Sequence, residues 1–155
     1  MEEERIVKLL EAHGMSFDRE FHVAFNRLAD REQAFAKIDF VVHWNGVDYL
    51  AEVDESQHSE RRLVCEVTRM VDVMKALSPA KPFTWIRYNP NCFRVNKVVQ
   101  KVSRAVREAH LIDVIKTHKY TGPKIQYLYY DKDMCDEPAS ITKNEEFDQL
   151  RYMLG

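Results

Sequence analysis

The sequence predicts an α/β protein, a mixed β-sheet flanked by helices, in a single domain covering residues 1–155. Three observations carry this. Two apolar runs meet at Asn45-Gly46, a dipeptide that favours a two-residue hairpin turn because both of its residues take positive φ. Helical and strand periodicities alternate along the chain in the order α, β, β-hairpin, α, β, α, β, α, the pattern of a sheet with helices on its faces. A chain of 155 residues, 45% hydrophobic and 31% charged, supports one buried core and not two.

Taken in order, residues 2–13 place Ile6, Leu9 and Leu10 at helical spacing, with Gly14 as a stop. Residues 17–25 put Phe17, Arg19, Phe21, Val23 and Phe25 on one side of a strand, and 27–33 read as polar loop. Runs 38–44 and 47–53 form the hairpin. Across 59–77, Leu63, Val67, Met70, Val71, Met74 and Leu77 make one apolar helical face that Ser78-Pro79 ends. Residues 83–88 are a short strand closed by Asn89-Pro90. Residues 95–116 read as a long helix with Val95, Val98, Val99, Val102, Val106, Ala109 and Ile112 inward, broken by Thr121-Gly122-Pro123. A strand over 125–130 and a closing helix over 145–154 complete the pattern.

Bulk properties narrow the function classes. No apolar stretch is long enough to span a bilayer, and the opening Met1-Glu2-Glu3-Glu4-Arg5 lacks the basic and apolar character of a leader, so a soluble, intracellular protein without a membrane partner is expected. Cys65, Cys92 and Cys135 stand far apart and are odd in number, which fits neither a zinc ribbon nor a disulfide framework. The net charge of −2 argues against coating nucleic acid by bulk charge. The segment 91–124 is nonetheless basic, with Arg94, Lys97, Lys101, Arg104, Arg107, Lys116, Lys119 and Lys124 against Glu108 and Asp113.

A two-residue turn at Asn45-Gly46 fixes the hairpin register, and Asp39 then lies opposite Glu52 and Lys37 opposite Asp54. Opposed side chains in an antiparallel pair stand roughly 5 Å apart at Cβ, and like charges so placed repel. A shared proton, compensation by Lys37 and another cation, or a divalent ion between the carboxylates would each relieve them. Magnesium suits such a place, because it takes a few carboxylate oxygens and leaves its other positions to water and phosphate. Gln57 and His58 follow where the strand ends, and a histidine there can ligate metal or carry a proton.

These residues resemble a known family. Ile38-Asp39-Phe40, Ala51-Glu52-Val53-Asp54-Glu55-Ser56-Gln57-His58, Cys65-Glu66 with Arg69, and Trp85-Ile86-Arg87-Tyr88-Asn89-Pro90 look like the restriction-endonuclease-like proteins of large DNA viruses, algae and protists. More distantly they are similar to the very-short-patch repair endonucleases. The likeness covers about 38–92. It implies the PD-(D/E)XK nuclease fold and magnesium-dependent (or manganese-dependent) hydrolysis of phosphodiesters, in DNA more than RNA. Asp39 matches the acid of the "PD" strand and Glu52 the "D/E". Ile38 replaces the proline, and Asp54 stands where the lysine is usual, which points to His58 in the related branch.

On that resemblance Asp39, Glu52 and Asp54 hold metal, His58 manages protons beside Gln57, and Glu66 and Arg69 brace the site, where position alone reads them as a solvated charged face; Lys37, opposite Asp54 in the register, braces the site or makes a surface ion pair. Arg87 contacts a phosphate or pairs with an acid such as Glu66. Lys97, Lys101 and Arg104, with Glu108, fall on one stripe of the expected long helix and either track a phosphate backbone or form its wet side. Tyr127, Tyr129 and Tyr130 stack on bases or pack in the sheet. The competing functions are a nucleic-acid-binding module without turnover, a protein-interaction subunit, and a hydrolase of another phosphoester.

Overall fold

The chain begins with helix α1 (Glu2–Ala12), which presents Ile6 and Leu10 to the interior and stops at Gly14, φ +65°. A computed structural model describes residues 2–26, 33–53, 73, 82–122 and 124–129. After α1 come strands β1 (Ser16–Asn26), β2 (Gln33–Trp44), β3 (Val47–Val53) and β4 (Phe83–Tyr88). A small hairpin follows, β5 (Arg94–Val95) and β6 (Val98–Val99), then helix α2 (Arg104–Thr117) and strand β7 (Ile125–Leu128).

Five strands form one sheet in the order β1-β2-β3-β4-β7. The pairs β1/β2 and β2/β3 are antiparallel, and β3/β4 and β4/β7 are parallel, so the mixed α/β sheet expected from the element order is present. The parallel half needs cover on both faces, and β3 and β4 are accordingly buried along most of their length. On one face Phe40, Val42, Tyr49, Ala51, Val53, Ile86, Tyr88 and Leu128 pack with Ile6 and Leu10 of α1 and Leu111, Ile112 and Ile115 of α2. Strand alternation sends Asp39, Val41, Leu50, Glu52, Trp85, Arg87, Ile125 and Tyr127 to the other face.

The turn at Asn45-Gly46 has φ of +51° and +78°, and pairs from Trp44↔Val47 to Phe40↔Ala51 follow the expected register. Strand β2 starts earlier than expected, at Gln33, because its first half pairs with β1 as far as Asn26.

The long helix expected over 95–116 is not formed. Asn96 and Lys97 take φ of +50° and +67°, reversing the chain so that Val95 pairs with Val98 and Arg94 with Val99. A helix starts only where the Ser103 hydroxyl accepts the Val106 N–H, 3.3 Å away. The valine spacing that imitated an amphipathic helix is therefore partly that of a hairpin, and its inward face is wrong in part: Val98, Val99 and Val106 are exposed, while Ile112 is buried as expected. The buried face of α2 is Arg107, Leu111, Ile112 and Ile115. Strand β7 ends two residues short of expectation, since Tyr129 turns to φ +65°. Of the helix expected over 59–77 only Val73, helical and buried, is described, and the helix expected over 145–154 lies outside the described residues.

Candidate functional site

At the carboxyl end of β3 the ladder to β2 stops after Phe40↔Ala51, and the next rung is Asp39 with Glu52. Asp39 fills the missing ladder bond with its side chain: its Oδ2 accepts the Val53 N–H at 2.9 Å. The β1/β2 ladder also skips this level. Arg19↔Phe40 and Phe21↔Ile38 are paired, and Glu20 between them, level with Asp39, has φ +53°.

Glu52 is register partner to Arg87 on β4, and Arg87 to Tyr127 on β7. Asp39, Glu52, Arg87 and Tyr127 thus form one row across four neighbouring strands. Asp39 is 9% exposed, Glu52 4% and Arg87 4%. Two acids and one guanidinium occupy this row, at the carboxyl ends of β3, β4 and β7, where open α/β sheets place their ligands. Below them Val41, Leu50, Trp85 and Ile125 give the row an apolar floor.

The donor set fits magnesium in kind. Both acids supply hard oxygens, Oδ1 of Asp39 is not used by the Val53 bond, and magnesium asks for only one or two carboxylates. Among the described residues no group of three or more His, Cys, Asp or Glu that could hold a metal ion is found. Asp54, Gln57, His58, Glu66 and Arg69 lie outside the described residues.

Lys37 is exposed, with its Nζ 3.9 Å from Glu20 on β1, and alternation along β2 puts it on the same face as Asp39. The basic residues of 97–104 are placed differently from expectation. Lys97, Lys101 and Arg104 make no helical stripe. Lys97 is in the β5/β6 turn, Lys101 lies between β6 and α2, and Arg104 opens α2 and pairs with Glu2. Tyr129 packs edge-on against Tyr88, Phe93 and His110.

The sequence reading missed a polar clamp just beyond Arg87. Asn89 is fully buried, and its amide donates to the carbonyls of Tyr129 at 2.9 Å and Cys92 at 3.2 Å while its Oδ1 accepts the Asn91 N–H. Arg107, also buried, donates to the carbonyls of Val102 (3.1 Å), Asn91 (2.5 Å) and Asn89 (3.4 Å). Its guanidinium lies 5.2 Å from the ring centres of both Phe93 and Tyr129. The missed signal was spacing, because Arg107, Leu111 and Ile115 at intervals of four share the buried face of α2. Burial, with a smaller push from Glu108, raises the Tyr88 phenol to about 12, which keeps it a neutral packing group.

A second polar set sits at the opposite end of β3. His43 Nδ1 is 2.6 Å from Asp48 Oδ1, and its Nε2 is 2.9 Å from Asp18 Oδ2. The carboxylates sit on opposite sides of the ring, so the trio cannot converge on one ion. Among the described residues no helix is long and apolar enough to cross a membrane. Compared with known proteins, the chain matches no family model, no curated protein and no solved structure.

Proposed function

We propose that this chain is a magnesium-dependent endonuclease that hydrolyses phosphodiester bonds of nucleic acid, DNA in preference to RNA, on a restriction-endonuclease-like PD-(D/E)XK sheet. The observation that carries the reading is the buried row of Asp39, Glu52 and Arg87 at the carboxyl ends of parallel strands. Asp39 and Glu52 stand side by side there with hard carboxylate oxygens, the kind of donor a divalent ion takes. Those two residues would hold the ion. Such an ion activates water and offsets the charge that builds on a phosphate under attack.

The chain's own residues do the rest. Asp39 is held by the Val53 N–H through Oδ2, and its Oδ1 would go to the ion. Arg87, one strand beyond Glu52, offers a planar donor fork suited to a phosphate oxygen. Asp54, Gln57 and His58 enter through the motif Glu52-Val53-Asp54-Glu55-Ser56-Gln57-His58, with Asp54 as a further acid and His58 as the proton carrier.

A second reading is favoured by one observation, the acid at position 54 where the family carries lysine: a module that binds nucleic acid without turnover. Supercoiled plasmid incubated with magnesium or manganese separates them. Nicking by the wild type and none by Glu52→Gln or Asp39→Asn is expected of the enzyme, whereas retention in a gel shift without a nick under either metal overturns it in favour of the module.

A further inference from the structure

Among the described residues two hairpins have two-residue turns, and their turns differ. At Asn45-Gly46 the second position is glycine at φ +78°; at Asn96-Lys97 it is a lysine at φ +67°. Glycine is the easy residue at that φ. A lysine forced into it puts an ammonium group at the extreme tip of a ribbon, and strain kept in the backbone is a reason to look for function.

The ribbon is firmly rooted. Gln100 N–H bonds to the Phe93 carbonyl at 3.0 Å and closes its base, and Phe93 is buried against Tyr129 and Arg107. That base follows Asn89, so the ribbon leaves the sheet at the same carboxyl edge that bears Glu52 and Arg87. Its surface is apolar and cationic together. Val98 and Val99 are 63% and 51% exposed, Arg94, Lys97 and Lys101 are exposed, and no acidic residue occurs from Asn91 to Arg107 in a chain whose net charge is −2.

We propose that the β5/β6 hairpin is a docking ribbon for duplex DNA, seating in the major groove with Lys97 and Lys101 on phosphates and one of its two faces, bearing either Val98 or Val99, against base edges. This rests on the nucleic-acid reading above and narrows its substrate to the B-form duplex. A two-stranded ribbon fits the B-form major groove, about 12 Å wide; the A-form major groove of RNA is too narrow to admit it. Lysines read the backbone without sequence, and an exposed valine supplies the apolar contact that a thymine methyl accepts.

Fluorescence anisotropy with a short labelled DNA duplex, the RNA duplex of the same sequence and the single strand tests this, in calcium so that binding is read apart from cleavage. Lys97→Gly is the informative variant, because it relaxes the turn while removing the charge. Its melting temperature is expected to rise while its affinity for duplex DNA falls roughly fivefold to tenfold at ~0.1 M salt, with the slope of log K against log salt reduced by about 1. Lys101→Ala is expected to reduce the slope by a similar amount. The Val98→Ser/Val99→Ser variant is expected to weaken duplex DNA binding with the slope unchanged. If the wild type binds DNA and both lysine variants keep its slope, the ribbon proposal is overturned while the nuclease reading stands. Equal loss on RNA and DNA duplexes overturns groove seating. Ribbon-dependent binding by a protein that nicks no plasmid supports the ribbon and removes the nuclease.

Discussion

Asp39 serves the fold through Oδ2, and two substitutions separate that role from the metal-holding one proposed for it. An asparagine carbonyl can still accept the Val53 N–H, so Asp39→Asn is expected to cost no more than about 0.5 kcal/mol in urea unfolding while abolishing plasmid nicking; Asp39→Ala loses the bond and costs about 1–2 kcal/mol. Arg107 is the larger structural stake. Three carbonyls depend on it, and Arg107→Ala, which leaves them short of donors beneath two aromatic rings, is expected to destabilise by about 3 kcal/mol. A loss under 1 kcal/mol would mean the loop after β4 holds itself. His118 makes a pH-dependent contribution. Its buried Nε2 has no partner and its ring packs edge-on against Tyr49, and burial, then the nearby Lys124, lowers its pKa from 6.5. A depressed folded pKa means stability present above 6.5 and lost as pH falls through the lower folded value. His118→Phe keeps the ring contact and removes the titration, so its melting temperature is expected to decline less than the wild type's below pH 6.5.

The elements most legible in the sequence were those fixed by local chemistry. Asn45-Gly46 set a turn, the turn set a register, and the register held from Trp44↔Val47 to Phe40↔Ala51; the bounds of β3 and β4 agreed as well. Gly46→Ala tests that logic. A Cβ there would meet nothing within 4 Å, so the cost is conformational alone, about 1 kcal/mol by thermal unfolding, and a much larger loss would point to a steric role. The sequence misled where one spacing fits two structures. Val95, Val98, Val99 and Val102 recur as a helix face would, yet valine favours strands and Asn96 tolerates positive φ. Periodicity could not weigh that against the Ser103 cap that starts α2 later. Asn89 was illegible for another reason: its amide reaches the Tyr129 carbonyl, 40 residues along the chain, which no local pattern encodes.

At the scale of the whole molecule, the two faces of the sheet differ in chemical character. The face under α1 and α2 is apolar from Phe40 to Leu128, whereas the other face carries the charged row above a floor of Val41, Leu50, Trp85 and Ile125. An ion that binds only the folded row must stabilise the whole chain, because unfolding separates Asp39 from Glu52 and dissolves the seat. Linkage gives about 1.4 kcal/mol at a tenfold excess over Kd, which for a chain of this size raises the melting temperature by roughly 3–5 °C. Magnesium titrated into the wild type is therefore expected to raise the melting temperature with concentration, and Asp39→Asn and Glu52→Gln are expected to flatten the response. Sodium chloride matched for ionic strength is the needed control, since the acids of α1 and the basic run after β4 also respond to salt by screening. If magnesium stabilises the two variants as much as the wild type, the ion binds elsewhere, and the row of Asp39, Glu52 and Arg87 is a buried ion-pair network of the fold.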